Sequence, residues 1–225
     1  FCMLSDTPCQ VKIEDAVLNV RRELPNPTIR LAHEKALQHG TAKYPIHRIL
    51  LKTLSVPKGN RMFSQDNVFL GQMPKRIVFG LVDNEAFNGT YAKNPFRFHH
   101  HYVNFVAVYI DGQQYPHKPM TPNFKTKEYI DGYYSLFQGL GKTESDWGNG
   151  ISRSEYAAGY TLFAFDLTPD SCNSDHFNVS KNANLRLELH FEEPLSSTIS
   201  IVLYAEFENM IEIDKSRNVI FDFNQ

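Results

Sequence analysis

The most regular feature of the chain lies near its C-terminal end. In LRLELHF, Leu185, Leu187, Leu189 and Phe191 fall on one side of an extended backbone, and Arg186, Glu188 and His190 fall on the other. That period of two is what a strand with one buried face needs. EEPLSS then turns the chain, and TISIVLYAEFENMIEI repeats the pattern through Ile199, Ile201, Leu203, Ala205 and Phe207. The two segments are expected to be adjacent antiparallel strands that bury Leu187, Leu189, Ile201 and Leu203. DKSRN turns the chain again into VIFDF.

Further upstream, YPIHRILLKTLSV (44–56) reads as a strand stopped by Pro57 and Gly59. KRIVFGLV (75–82) is a compact apolar run between Pro74 and Asp83-Asn84, as expected of a buried strand. HHHYVNFVAVYI reads as one long strand beginning in the histidine run, closed by the hairpin-turn pair Asp111-Gly112. Residues 113–127 carry Pro116, Pro119 and Pro122 and are expected to form an ordered loop. YTLFAFDLTPD is another strand ending at Pro169.

Helical periodicity is confined to short stretches. NPTIRLAHEKALQHG has Asn26 to cap, Pro27 at the first helical position, a stripe of Ile29, Ala32, Ala36 and Leu37, and Gly40 to stop. KIEDAVLNV fits strand or helix equally. KEYIDGYYSLFQGLG has room for a short helix, and residues 142–154 are polar and Gly-rich, hence an exposed loop. Strands do not alternate regularly with helices, which argues against a parallel α/β sheet. The fold class is all-β: an eight-stranded antiparallel jelly-roll sandwich with a short N-terminal helix and a long helical loop insertion. No repeat or composition shift divides residues 1–225, so a single domain is expected.

Composition sharpens this picture in two ways. Aromatics reach 13% of 225 residues, weighted to 17 Phe and 11 Tyr, a bias that suits pleated surfaces. A net charge of −2 and pI near 6.5 give no reason to expect a specific nucleic-acid partner or an anionic membrane. No apolar run approaches the ~20 residues of a membrane span. Cys2, Cys9 and Cys172 are an odd, scattered set, expected as free thiols in a reducing compartment, with a Cys2–Cys9 bridge as the alternative. The chain begins at Phe1 and is read as a processed product or fragment. Asn88-Gly-Thr90 and Asn178-Val-Ser180 match the glycosylation sequon, which carries meaning only in a secreted protein.

Candidate chemistry is sparse. In a strand, His99 and His101 of FRFHHHYVNF would share a face, the way a cupin barrel starts a metal site. A cupin needs a glutamate a few residues on, where this chain has Asn104 and Phe105; His190 is the remaining candidate ligand. Two imidazoles make no tight zinc or iron site, so neither a metal nor another cofactor is expected. GLGKTES contains Gly-Lys-Thr but has Leu136 where a phosphate loop needs glycine. Cys172 with His176 shows no base–orienter arrangement, no G-x-S-x-G elbow occurs, and Glu192, Glu193 and Asp214 sit at turns. No catalytic residue is assigned, and a scaffold role is favoured over an enzyme.

Three strings resemble a known family: YPIHRILLKTLSVPKGNRMF, NPFRFHHHYVNFVAVYIDGQQYP and LRLELHFEEPLSSTISIVLYAEFENMIEIDKSRNVIFDF. They are similar to the major capsid protein of Polinton/Maverick elements and adintoviruses, from about Val11 to the C-terminus, with LYAEFENMIEID…RNVIFDF the most specific part. That family resembles the double jelly-roll capsid proteins, in which three subunits of two rolls each build a pseudo-hexagonal capsomer. The resemblance implies that residues 1–225 are one roll, the C-terminal half of a longer double jelly-roll protein. It implies a homotrimeric capsomer that meets neighbouring capsomers in an icosahedral virion shell, made in the host cytoplasm or nucleus. It carries over no catalytic residues, and assigns His99, His100 and His101 to packing or an intersubunit surface.

Two other classes remain. One is a carbohydrate- or protein-binding β-sandwich using Tyr129, Tyr133, Tyr134 and Trp147 as an aromatic platform. The other is the cupin-like metalloenzyme. The segment 129–154 carries too many apolar groups to leave in water, at ~1.5–3 kcal/mol for each large side chain buried. It is expected to be ordered, partly exposed and the main intersubunit element.

Overall fold

The computed structural model describes residues 12–143, 145–169, 178 and 181–223. Cys2, Cys9, Cys172 and His176 lie outside them, as does most of the second sequon. Among the described residues, 49–207 form one compact unit, and 12–48 with 208–223 form a second.

In the first unit, two antiparallel sheets enclose one core. The strands are β1 (Ala42–Val56, with residues 42–48 in the second unit), β2 (Met62–Gln65), β3 (Arg76–Asp83), β4 (Val103–Ile110), β5 (Gln113–Met120), β6 (Leu162–Asp166), β7 (Leu185–Phe191) and β8 (Ile199–Ile213, with residues 208–213 in the second unit). One sheet has the order β1-β8-β3-β6, and the other β2-β7-β4-β5. First neighbours last in every case: β1 lies beside β8, β2 beside β7, β3 beside β6 and β4 beside β5. The chain is thus a long hairpin, with its tip at Asp111-Gly112, folded over on itself so that β3 also meets β8 and β4 meets β7. That winding is the jelly roll, as expected from the sequence pattern.

The core follows from the alternation. Leu185, Leu187, Leu189 and Phe191 of β7 enter it from one sheet, and Ile199, Ile201, Leu203, Ala205 and Phe207 of β8 from the other. Val106 and Val108 of β4 and Ile77, Phe79 and Leu81 of β3 complete it. On the outer face of β7, Glu188 pairs with Arg186 and accepts from His190 Nε2 at 2.9 Å. β3 is buried on both faces because a second layer covers its sheet. The helix α3 (Ile130–Gly139) packs on β6, and α4 (Arg153–Gly159) adds Tyr156 to a small cluster with Tyr129, Leu136 and Ala164. The α4 start is a capping box: Ser152 Oγ accepts from Glu155 N, and the Glu155 carboxylate accepts from Ser152 N. A single turn, α2 (Asn84–Asn88), follows β3.

The second unit holds α1 (Pro27–Leu37), with Asn26 accepting from Thr28 N at 3.1 Å and Pro27 in the first turn. It also holds β9 (Val219–Phe221), paired antiparallel with the end of β8. Residues 12–26 form no regular element. The apolar stripe of α1 is not buried in this chain.

Three expectations are corrected and one strand is added. β7 and β8 are not adjacent: they lie in different sheets, because EEPLSS arches across the sandwich instead of closing a hairpin. The four side chains expected to be buried, Leu187, Leu189, Ile201 and Leu203, are nonetheless so, on opposite sides of the core. Residues 113–120 are not loop but the edge strand β5, where Pro116 and Pro119 lack only N–H groups that an edge need not supply. β2, which the pattern did not show, pairs Met62–Gln65 with β7. Finally, β4 begins at Val103, so the histidine run lies outside it.

Candidate functional site

The histidines form a turn. His101 and Tyr102 take positive φ angles of 43° and 52°, a strained left-handed pair for residues with side chains. The turn is held by local bonds: Tyr102 N–H donates to His100 Nδ1 at 3.0 Å, and Val103 N–H to the His100 carbonyl at 2.8 Å. Just before it, Phe98 N–H reaches Gly159 O at 2.8 Å and His99 N–H reaches Leu81 O at 3.1 Å. These bonds tie the turn to β3 and to the end of α4. With no strand through them, His99 and His101 do not alternate as an H-x-H pair; their rings meet edge to face at 5.9 Å.

Each imidazole has its own surroundings. His100 stacks on Phe124 at 4.1 Å with the planes 5° apart, and stands edge-on to Tyr102. Phe124 continues the stack to Tyr129 at 5.2 Å, and Tyr129 to Tyr156 at 5.9 Å. The turn therefore leans on the cluster that α3 and α4 build over β6. Burial, followed by the charges of His101 and His99, pushes the His100 imidazole down to about 4. Burial also lowers His99, with Arg97 adding to it, and lowers His101, where Asp83 partly offsets the effect. The three rings are thus kept neutral near pH 7. A cleft of about 350 Å³ beside them is lined by Asp83, Lys93, Arg97 and His99 among others. Lys93 in its lining bonds Asp83 at 3.2 Å and Glu85 at 2.9 Å. Burial raises the Asp83 carboxyl, but hydrogen bonds from Lys93 and Ser197 and the Lys93 charge outweigh it and hold the group below its ordinary value.

The other sequence candidates are dispersed. His190 is engaged by Glu188 and stacks on Phe105 at 4.5 Å. No group of three or more His, Cys, Asp or Glu among the described residues is placed to hold a metal ion. Gly141-Lys142-Thr143 follows a helix, whereas a phosphate loop follows a strand. Glu192 and Glu193 both hold Lys125, at 3.0 and 2.6 Å. Asp214 caps a turn by accepting from Ser216 and Asn218. Of the proposed aromatic platform, Tyr129 is buried and Tyr133 donates to Ile151 O at 2.8 Å, while Tyr134 and Trp147 are exposed, Trp147 by 80%. No helix among the described residues is long and apolar enough to cross a membrane.

No protein-family model matches the chain. An uncharacterized protein of Caenorhabditis elegans is 29% identical over 189 residues, which are 83% of this chain and 45% of that protein. The chain thus spans less than half the length of that curated relative. Among solved structures it is similar to a chain of the Sputnik virophage, with 16% identity and a TM-score of 0.47 over 81% of this chain and 39% of that one. It is similar to the PBCV-1 virus capsid, with 10% identity and a TM-score of 0.46 over 82% and 52%. It is also similar to the mavirus major capsid protein, with 11% identity and a TM-score of 0.39 over 81% and 41%.

The feature that sequence periodicity missed is a surplus of apolar surface. In the first unit, with its core complete, Ile49, Leu51, Leu70, Phe96, Ile130 and Trp147 are 53–82% exposed. In the second unit, Ile13, Val17, Leu18, Val20 and Leu24 are 67–91% exposed. The signal was present as KIEDAVLNV, an apolar-rich stretch that fits no single period.

Proposed function

We propose that this chain is one roll of a capsid-type structural protein that works by self-association. The observation that carries the reading is the exposed apolar surface on a jelly roll whose own core is already filled. Ile49 and Leu51, two residues apart, share one face of β1 and are 54% and 71% exposed, so a neighbouring protein could cover both. Among the described residues β1 is the end strand of its sheet, a position open to a protein neighbour. The three sequence strings that resemble the Polinton/Maverick and adintovirus capsid proteins point the same way. Under this reading the chain is the C-terminal roll of a longer double jelly-roll protein that forms homotrimeric capsomers, which join neighbouring capsomers in a virion shell assembled in the host cell. No catalytic group, cofactor or specific nucleic acid is assigned to it. The turn at His99–His101 packs against the α3/α4 layer and serves the fold.

The segment 129–154 is the proposed intersubunit element, with α3 anchored on β6 and Trp147 projecting. Its test is the double substitution Phe137→Ser and Trp147→Ser in the full-length protein. Light scattering after size exclusion should show trimers weakened while circular dichroism stays unchanged. Trimers that persist unaltered would remove this segment from the interface, and a full-length protein that stays monomeric would remove the capsid reading itself.

A further inference from the structure

The second unit contains both a groove and a segment that matches it. The groove, about 510 Å³, lies between the end of α1 and the start of β1, with Ile213 and Arg217 on its other side. Ala36, Leu37, Ala42 and Ile213 are part of its apolar lining, and His33, His39 and Arg217 of its polar lining. The nearby carboxylates are already engaged. Glu212 accepts from Thr41 at 2.6 Å and lies 3.9 Å from Lys43, and Asp214 is filled by Ser216 and Asn218. Among the described residues, no carboxylate pairs with the Arg217 guanidinium. The groove therefore joins apolar lining with one guanidinium that holds no ion pair among the described residues.

Residues 13–20, IEDAVLNV, have the complementary character. Their only charges are Glu14 and Asp15, and Ile13, Val17, Leu18 and Val20 are 67–86% exposed. The segment takes no helix or strand of its own, so it is free to lie extended along a partner.

We propose that this groove receives residues 13–20 of a second copy of the chain, so that copies are joined by exchanged arms. Val17 and Leu18 seat on Ala36, Leu37 and Ile213, and Glu14 and Asp15 meet Arg217. This rests on the self-association reading and names one contact within it.

The test uses the full chain in two isotopic forms, mixed, with benzoylphenylalanine in place of Leu18 in one form. After irradiation, mass spectrometry should find mixed-isotope cross-links from position 18 to residues 33–44 or 213–217. Arg217→Glu should lower their yield about tenfold, because the reversal removes an attraction and sets like charges together. Adding Glu14→Arg and Asp15→Arg to that variant should restore the yield. Cross-links confined to single-isotope pairs would show an arm folded back on its own chain, and cross-links to other regions would show a different docking site. Either result overturns the inference. Light scattering on the same mixture separates the two readings: association without these cross-links overturns the arm alone, whereas the absence of both association and cross-links overturns the two together.

Discussion

Gly139 offers a test in which two effects of known sign oppose each other. It is the last residue of α3, where the helix rests on β6. A Cβ at this position would lie 2.6 Å from Ala164 Cβ, 3.0 Å from the Ala164 carbonyl carbon and 3.3 Å from its Cα. Carbon atoms prefer ~3.5–4.0 Å, so the helix would have to lift from the strand by up to about 1 Å. The obstacle is partly backbone in a paired strand, Val78↔Ala164, which cannot rotate away. Gly→Ala in a helix normally stabilises by up to ~1 kcal/mol, while overpacking a filled contact costs ~1–3 kcal/mol. Packing should win, leaving Gly139→Ala about 1–2 kcal/mol less stable. Urea unfolding with an unchanged m-value is the measurement. Adding Ala164→Gly removes the closest of the three contacts, so the double variant should be more stable than additivity predicts, by ~1 kcal/mol. A Gly139→Ala protein as stable as the parent, or strictly additive behaviour, would refute the close approach of α3 to β6.

Other outcomes follow from the same layer. Tyr156 is fully buried, burial pushes its phenol up, and its hydroxyl has no hydrogen-bond partner among the described residues; Tyr156→Phe should leave stability unchanged or raise it by ~1 kcal/mol in thermal or urea unfolding. Ser152→Ala removes half of the α4 capping box and should cost ~1 kcal/mol in the same assay. The fold keeps His100 neutral, so the unfolded chain binds the extra proton and stability must fall as pH drops from 6.5 toward about 4. Partial exposure of the ring limits this loss to ~1–2 kcal/mol. His100→Asn, which keeps an acceptor for Tyr102 N–H and cannot titrate, should flatten that part of the pH–stability curve; an unchanged curve would place the acid sensitivity elsewhere.

Strands with one buried face were legible in the sequence because the pleat repeats every two residues. LRLELHF and TISIVLYAEFENMIEI each reported which side chains enter the core, and Asn26-Pro27 and Asp111-Gly112 reported a cap and a turn that depend only on neighbouring atoms. The capping box at Ser152 and Glu155 was equally local and could have been read. What no local pattern contained was the partner of each strand. EEPLSS has the composition of a turn whether the chain comes back beside itself or crosses to the opposite sheet. That choice is made by the winding of the whole hairpin, which sets β2 and β4 against β7 and leaves β3 to β8. β5 was hidden for the same reason, since its prolines forbid a central strand but not an edge, and edge status is a property of the finished sheet. The histidine run was misread because its geometry is set by a side-chain bond, His100 Nδ1 to Tyr102 N–H, and by tethers to Leu81 and Gly159 far along the chain. Periodicity determines which face of a segment is buried; only the packed structure decides what that face is buried against.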